Sequence, residues 1–170
     1  MQSTTAQLDH FYAKDNYPIF ALCLYNFVPS CPTCNQKKSS NQLKNSPHDE
    51  TVSFEEKVHF TYELKEEFYC QEGIEVKFRD DIDKDIWDDM NLLEIEPLYA
   101  THNDVVWELI EKTRWYNEYK IRELIEDLGL YDSEEEVYRM LYGGYMEEEN
   151  FLKRPLSKLT HDIVTELKGW

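Results

Sequence analysis

The first forty residues hold the side-chain types that a phosphodiester hydrolase requires. Asp9 and His10 are adjacent, and Asn26 and Asn35 follow on the C-terminal side. Such an enzyme needs a general base for water, oxygen ligands for a divalent cation and a group that orients the base. His10 can be the base, and Asp9 and Asn35 offer hard oxygen ligands suited to Mg²⁺. Asn26, through its side chain or backbone, could fix the imidazole tautomer.

Two of the four cysteines form a close pair. Cys31 and Cys34 lie in Cys-Pro-Thr-Cys, whereas Cys23 sits in an apolar run and Cys70 has no motif around it. The pair is compatible with half of a zinc site, a metal-free structural pair or a redox pair. A redox pair is typically followed by a long apolar helix, and here the following residues are polar. The pattern therefore favours a zinc half-site, Cys31 and Cys34, over the other two interpretations.

Length and composition indicate a folded chain of one domain, or of a small module with an appended one. The chain has 170 residues, of which 41% are hydrophobic and 14% aromatic, and this excludes global disorder. The longest apolar run, Ile19–Tyr25, is far shorter than the ~20 residues of a membrane span. No secretory signal is recognisable either. We therefore expect a cytoplasmic protein with no membrane association.

The charge is distributed unevenly along the chain. The formal net charge is −17 overall, but residues 1–46 carry four basic and two acidic side chains. Residues 47–170 carry 14 basic and 33 acidic side chains. Nucleic acid binding depends on lysine and arginine, so only the first segment suits it. The sequence predicts a domain boundary near residue 46.

The elements that must position these residues are short in the first segment. We expect a short segment at Gln7–Phe11, a strand at Leu24–Val28 ended by Pro29, and a polar helix over Cys34–Gln42. Alternation of apolar and polar residues then predicts two antiparallel strands around residues 58–62 and 74–78, with a turn at 71–73.

The period becomes helical from about residue 98. Apolar side chains share one helix face over residues 105–116 and again over 121–128, where Gly129 ends the pattern. Ser133 and the three glutamates after it have the form of a helix start, and Gly143-Gly144 an end. A last helix is predicted over Ser157–Leu167. The predicted fold class is α+β, with a small β-hairpin region and a helical C-terminal half.

The ordered set in residues 7–40 resembles the HNH endonuclease family. The quoted residues are Leu8-Asp9-His10-Phe11-Tyr12, then Leu24 to Pro29, and Cys31-Pro32-Thr33-Cys34-Asn35 followed by Lys37 and Lys38. A weaker resemblance continues at Leu98-Tyr99-x-x-His102 and over Arg154–Thr160. The resemblance implies a ββα-metal finger within residues 1–46, followed by an accessory region over 47–170.

The resemblance also implies roles for individual residues. His10 is the general base, Asp9 and Asn35 hold a catalytic Mg²⁺ or Mn²⁺, and Asn26 steadies the loop and His10. Family members with Cys-x-x-Cys-Asn usually carry a second Cys-x-x-Cys upstream of the Asp-His pair. Only eight residues precede Asp9 here, so we expect an N-terminally truncated finger with a structural zinc site that lacks two ligands.

Four basic residues and one histidine are further candidates. Lys37 and Lys38 are predicted phosphate contacts. Arg154 and Lys158 could also grip phosphate, or else pair with Glu147–Glu149 and cap a helix. His102 could contact phosphate or support the site, or else be a surface or capping histidine.

Three functions follow from these patterns. The leading one is a metal-dependent endonuclease that hydrolyses DNA, in a bacterial antiphage defence context implied by the resemblance. The second is a non-catalytic module whose acidic C-terminal half docks on a partner protein such as an ATPase. The third is an acidic DNA mimic, motivated by the net charge.

Overall fold

A computed structural model describes residues 6–65 and 70–169, and it confirms the α+β class. Two antiparallel sheets of two strands each lie among the helices. The chain divides into two compact units. The first runs to Phe54 and also includes Asp81–Leu98, and the second comprises Glu55–Asp80 and the chain from Tyr99 onward.

The first unit opens with the order strand, strand, helix. Strand β1 (Gln7–His10) pairs antiparallel with β2 (Phe27–Ser30), so that Asp9 faces Val28 and His10 faces Phe27 across the ladder. Pro29 does not end β2, which continues to Ser30. A two-stranded sheet tolerates this because each strand has a free edge, where a missing N–H leaves no ladder bond unmade.

The segment between the two strands consists largely of tight turns. Two 3₁₀ turns, Pro18–Phe20 and Leu24–Asn26, replace the first part of the predicted strand. The N–H of Asn26 donates to the Cys23 carbonyl at 3.0 Å, which closes the second turn and delays the start of β2 to Phe27.

Helix α1 (Pro32–Lys38) follows β2 after a single residue. Cys31 caps it: its Sγ accepts a hydrogen bond from the Cys34 N–H at 3.2 Å. Pro32 occupies the first turn, where no N–H is needed. The helix therefore begins earlier than the predicted Cys34 and ends at Lys38, four residues before the predicted Gln42.

A second segment joins the first unit through an aspartate. After a single helical turn, α2 (Phe54–Lys57), the chain passes through the second unit and returns as α3 (Lys84–Leu92) and α4 (Ile95–Tyr99). Buried Asp89 on α3 accepts hydrogen bonds from the N–H groups of Lys44 and Asn45 at 2.8 and 2.9 Å. This pairing ties the segment that contains α3 to the first unit, and the boundary near residue 46 stays a prediction.

The second unit contains the predicted hairpin. Strand β3 (Phe60–Leu64) pairs antiparallel with β4 (Ile74–Phe78), with Phe60 opposite Phe78 and Leu64 opposite Ile74. Burial along β4 alternates as the sequence predicts, because Ile74, Val76 and Phe78 face the core. The predicted turn, Gln71–Gly73, is a 3₁₀ turn.

Helices complete the second unit. They are α5 (Asn103–Trp115), α6 (Glu118–Arg122) with a π-helical turn over Glu123–Asp127, α7 (Glu134–Tyr142) and α8 (Ser157–Lys168). The capping prediction for α7 is confirmed: Ser133 Oγ accepts from the Glu136 N–H at 3.3 Å, and Gly143 ends the helix with a φ of +75°. Helices α5 and α8 pack on the hairpin and supply the core side chains Val106, Leu109, Ile110, Leu159, Ile163 and Val164.

One buried acid ties α8 to the hairpin. Asp162 accepts hydrogen bonds from the Phe60 N–H at 2.9 Å, from Lys158 Nζ at 2.9 Å and from His161 Nδ1 at 3.0 Å. Burial alone would raise the pKa of Asp162, but the hydrogen bonds from His161, Lys158 and Phe60 together hold it below its ordinary value. Across residues 6–65 and 70–169, no helix is long and apolar enough to cross a membrane.

Candidate active site

His10 ends strand β1, and its ring is held by the loop that follows. Nε2 lies 3.1 Å from the carbonyl oxygen of Ala21, and the ring centroid is 4.8 Å from that of Phe27. A carbonyl oxygen can only accept, so this contact requires the proton on Nε2. The neutral imidazole then carries its lone pair on Nδ1, which is the form that a general base needs.

Asn26 fixes that loop and makes no hydrogen bond to the imidazole. Its Nδ2 donates to the carbonyls of Tyr12 and Phe20 at 3.0 and 3.1 Å, and its Oδ1 accepts from the Tyr12 N–H at 2.7 Å. The side chain is buried, and Phe20 directly precedes Ala21. Asn26 therefore places the Ala21 carbonyl, and that carbonyl in turn sets the histidine tautomer.

This arrangement refines one expectation. The sequence analysis expects Asn26 to fix the imidazole tautomer through its side chain or backbone and to steady the loop; in the structure Asn26 bonds to the loop, and the contact to the ring comes from the backbone of Ala21. No side-chain type marks a residue that acts through its carbonyl, so the sequence offered no signal for Ala21.

Asp9 is partly buried and has two partners. Its Oδ1 accepts the His10 N–H at 2.7 Å, and its Oδ2 lies 3.3 Å from Lys38 Nζ. The carboxylate lines a cavity of about 190 Å³ within the first unit, with the following neighbours: Phe11, Val28, Pro29, Ser30, Cys34, Lys38, Leu43, Pro47 and Leu93. His10 does not line this cavity, so the carboxylate and the imidazole of the pair face different surroundings.

Asn35 on α1 is held at β1 by a residue that the sequence did not single out. Its Nδ2 donates to Gln7 Oε1 at 2.8 Å. Gln7 and Asp9 are two residues apart on one strand and so share a face of the hairpin. The bond to Gln7 therefore brings Asn35 to the Asp9 side and leaves Asn35 Oδ1 as the amide's acceptor. The signal for Gln7 was its spacing of two from Asp9.

The two lysines that end α1 differ in their surroundings. Lys37 Nζ pairs with Glu94 at 2.7 Å and is partly exposed. Lys38 is buried, and its Nζ donates to the His10 carbonyl at 2.6 Å in addition to pairing with Asp9. The predicted phosphate contact of Lys37 stays a prediction, whereas the ammonium of Lys38 is already engaged by β1.

The cysteine pair lies at the start of α1, with Cys31 as its cap and Cys34 in its first turn. The hydrogen bond from the Cys34 N–H lowers the pKa of the exposed Cys31 thiol, and burial raises the pKa of the Cys34 thiol. Among the described residues, no group of three or more His, Cys, Asp or Glu side chains is arranged to hold a metal ion. The structure thus supplies two thiols for zinc and, within the part of the chain it describes, no further ligand of these types beside them.

The remaining candidates lie in the second unit. Arg154 Nη1 donates to the Gly143 carbonyl at 3.2 Å, which caps α7, and Lys158 pairs with Asp162. His102 precedes α5 without a capping hydrogen bond from its side chain, and its ring centroid is 6.1 Å from that of Tyr99. Arg154 thus contacts the end of α7 and Lys158 pairs with Asp162 instead of Glu147–Glu149, and phosphate contacts by these residues stay predictions.

The donor set near β1 fits a magnesium-type cation better than a closed zinc site. Mg²⁺ prefers oxygen and commonly uses only one or two protein ligands, with water and substrate phosphate completing its shell. Asp9 offers carboxylate oxygens at a cavity wall, and the Asn35 amide is oriented by Gln7. These two residues would hold the cation.

Comparison with known proteins gives a partial match, over about a quarter of the chain. A segment of 46 residues is 37% identical to the Septu protein PtuB of Bacillus thuringiensis, covering 27% of this chain. The matched segment spans only 18% of that protein's length. No protein-family model and no solved structure matches the chain. The chain is therefore similar to part of a Septu protein, over about a quarter of its own length.

Proposed function

We propose that the first unit is the catalytic module of a metal-dependent HNH-type endonuclease that hydrolyses phosphodiester bonds in DNA. The observation that carries the proposal is the hydrogen bond from His10 Nε2 to the Ala21 carbonyl, with Asn26 holding the loop behind it. His48 and His59 also place Nε2 at a backbone carbonyl, so what distinguishes His10 is the buried Asn26 side chain that holds the loop carrying its acceptor. A general base needs a fixed ring because its free nitrogen must face the water it activates.

The chain's own residues account for the proton transfer. Nδ1 of His10 takes a proton from a water molecule as the water oxygen bonds to the phosphorus, the P–O bond to the leaving oxygen breaks, and that oxygen is protonated by solvent. The imidazolium charge is shared with the Ala21 carbonyl through Nε2–H. Because the tautomer and the ring orientation are fixed before the reaction, no free energy is needed to orient the base during it. General-base catalysis of this kind typically contributes about 10²–10⁴-fold to the rate.

Asp9 and Asn35 would bind a Mg²⁺ or Mn²⁺ ion. When bound, such an ion polarises the phosphoryl oxygen and stabilises the charge that develops on the leaving oxygen. The low count of protein ligands suits a site that the substrate phosphate completes. Lys37, at the end of α1, would add a positive charge toward the backbone of the nucleic acid.

The partial similarity to a Septu defence protein supports a role in antiphage defence. In this role the acidic remainder of the chain would contact a partner protein, such as an ATPase that delivers the nuclease to its target. Its excess of 33 acidic over 14 basic residues in 47–170 disfavours direct binding of that region to DNA.

A second candidate function is a non-catalytic docking module, and one observation favours it. In the second unit, Trp115 and Tyr119 are 75% and 74% exposed. Large aromatic side chains are common anchors at protein interfaces, so these two suit a docking surface. Under this alternative the module would bind its partner and show no cleavage, and a DNA mimic would in addition compete with DNA for that partner.

Nicking of supercoiled plasmid separates these candidates. The purified full chain should convert supercoiled plasmid to open circles with Mg²⁺ or Mn²⁺ and not with EDTA. Asp9→Ala protein, prepared in parallel and assayed at the same limiting Mn²⁺ concentration, reports contaminating nuclease, because only an intrinsic activity falls when Asp9 is removed. Equal nicking by both preparations, or none by either, would reject the nuclease and leave the docking module.

A further inference from the structure

Lys38 is a buried cation with a defined set of partners. The residue is only 3% exposed, and its Nζ lies 2.6 Å from the His10 carbonyl oxygen and 3.3 Å from Asp9 Oδ2. Burial of an ammonium group is costly unless it is paired and hydrogen-bonded. Helix α1 therefore brings an ammonium group to the two residues of the Asp-His pair.

Lys38 also belongs to a pair of contacts between α1 and β1. Asn35 and Lys38 are three residues apart on one helix face, and Gln7 and Asp9 are two apart on one strand face. Asn35 bonds to Gln7, and Lys38 pairs with Asp9. Lys38 thus places a cation beside the Asp9 carboxylate, the proposed metal ligand. The bond to Gln7 orients Asn35, the proposed amide ligand.

The charges at this face decide how readily a divalent cation binds. Asp9 contributes one negative charge, Lys38 one positive charge, and Asn35 and Gln7 none. An ammonium 3.3 Å from the carboxylate offsets the attraction that Asp9 would exert on a metal ion. The scissile phosphodiester brings the missing negative charge, so cation and nucleic acid should bind together.

We propose that Lys38 is a positioning residue that keeps the affinity of Asp9 for Mg²⁺ or Mn²⁺ low until a phosphodiester is bound. This inference rests on the proposed function, because it takes Asp9 as a metal ligand. Lys38 holds the carboxylate and the His10 backbone in place and at the same time competes with the cation for Asp9 Oδ2. The consequence is a site that loads its metal with its substrate.

Substitution of Lys38 by methionine tests the competition directly. Titration calorimetry with Mn²⁺ on the full chain, without DNA, should give a Kd about fivefold lower or more for Lys38→Met than for the wild type. Lys37→Met is the matched control, since it removes the same charge from the neighbouring position, where the ammonium pairs with Glu94. Its Kd should stay within about twofold of the wild-type value.

A purely structural role for Lys38 predicts the opposite direction. If the lysine only holds the fold, its loss would disorder Asp9, and Mn²⁺ binding would be unchanged or weaker, which overturns the proposal. In the Asp9→Asn background the gain from Lys38→Met should disappear. A gain that persists there would show that the lysine acts on another ligand, and this also contradicts the proposal.

A second measurement covers the case in which Lys38→Met does not fold. His10→Ala protein keeps Asp9, Asn35 and Lys38, and should not consume the substrate. Its Kd for Mn²⁺ should fall about tenfold or more when a short DNA duplex is present at saturation. Equal Kd values with and without DNA would refute linked binding. Both experiments measure binding, so absence of cleavage in the wild type leaves their outcomes readable.

Discussion

The imidazole Nε2 of His10 lies 3.1 Å from the main-chain oxygen of Ala21, eleven residues further along the chain. This one contact sets the tautomer of the proposed base and leaves Nδ1 as the free nitrogen. The Asn26 side chain supports this contact by donating a hydrogen bond, at 3.1 Å, to the carbonyl of Phe20, the residue before Ala21. Asn26 therefore holds the backbone of the loop in place, and it affects the orientation of His10 through the Ala21 carbonyl.

Loss of Asn26 should slow cleavage although this residue does not touch the imidazole. Asn26→Ala leaves the Tyr12 N–H and carbonyl without the amide partner, while the Phe20 carbonyl keeps only the Cys23 N–H, and this costs about 1–3 kcal/mol of stability. Cleavage should fall about tenfold or more, since the ring loses its fixed acceptor. Thermal unfolding and single-turnover rates should be measured on the same preparation, with exposed Asn41→Ala as the control. Asn26→Ala at wild-type rate would mean that the loop does not position His10.

Removal of either proposed ligand should raise the metal requirement. In Asp9→Ala and Asn35→Ala proteins the Mn²⁺ concentration for half-maximal cleavage should increase about tenfold or more, because each variant loses an oxygen donor. Asp15→Ala, which changes an exposed acid of the same unit, should leave it unchanged. A metal site elsewhere is indicated if the half-saturating concentration is the same in all three variants.

Zinc should bind weakly to this 170-residue chain. Two thiolates leave a structural zinc site open, and closure by four ligands is what makes zinc contribute strongly to folding. Metal analysis of the purified protein should give much less than one zinc per chain. The Cys31→Ser/Cys34→Ser protein should have the same melting temperature as the wild type, with both proteins in EDTA. Stoichiometric zinc would show that Cys23, Cys70, a histidine or a second subunit completes the site.

The second unit should lose stability in acid through Asp162. Its pKa in the fold is below the ordinary 3.8, so the stabilisation is fully present above that pH and is lost as the pH falls through the lowered value. Asp162→Asn should cost about 1–3 kcal/mol at neutral pH, since a neutral amide cannot replace all three hydrogen bonds of the carboxylate.

The difference between wild type and Asp162→Asn in denaturant unfolding should therefore shrink between neutral pH and about pH 3. Asp132 is exposed, and Asp132→Asn serves as the control: it should leave the free energy of unfolding unchanged at both pH values. A difference that stays constant over this range would mean that Asp162 is not held ionised by its partners.

Much of the fold could be predicted from sequence because its signals are local. Alternation placed β3 and β4, and Ser133 and Gly143 marked the limits of α7. The start of β2 was missed, since the apolar residues Leu24 and Tyr25 resemble a strand and only the turn closed by Cys23 and Asn26 shows otherwise.

The long-range parts could not be predicted for a physical reason. Asp89 resembles any acid of an exposed helix, and its capture of the Lys44 and Asn45 amides depends on residues more than forty positions away. Likewise, Lys38 resembled a surface lysine, and nothing in its neighbours announced burial against Asp9. Residue types and spacing predicted the candidates for the site, whereas Ala21, which acts through its carbonyl, is recognisable only from the structure.

The rate of DNA cleavage by His10→Ala protein, at saturating Mn²⁺ and under single-turnover conditions, tests the central claim most directly. His48→Ala is the matched control, because Nε2 of exposed His48 also contacts a backbone carbonyl, that of Phe27, at 2.9 Å. We expect a loss of about 10²–10⁴-fold for His10→Ala with an unchanged fold by circular dichroism, and a wild-type rate for His48→Ala. Cleavage by His10→Ala at the wild-type rate would contradict the assignment of His10 as the general base.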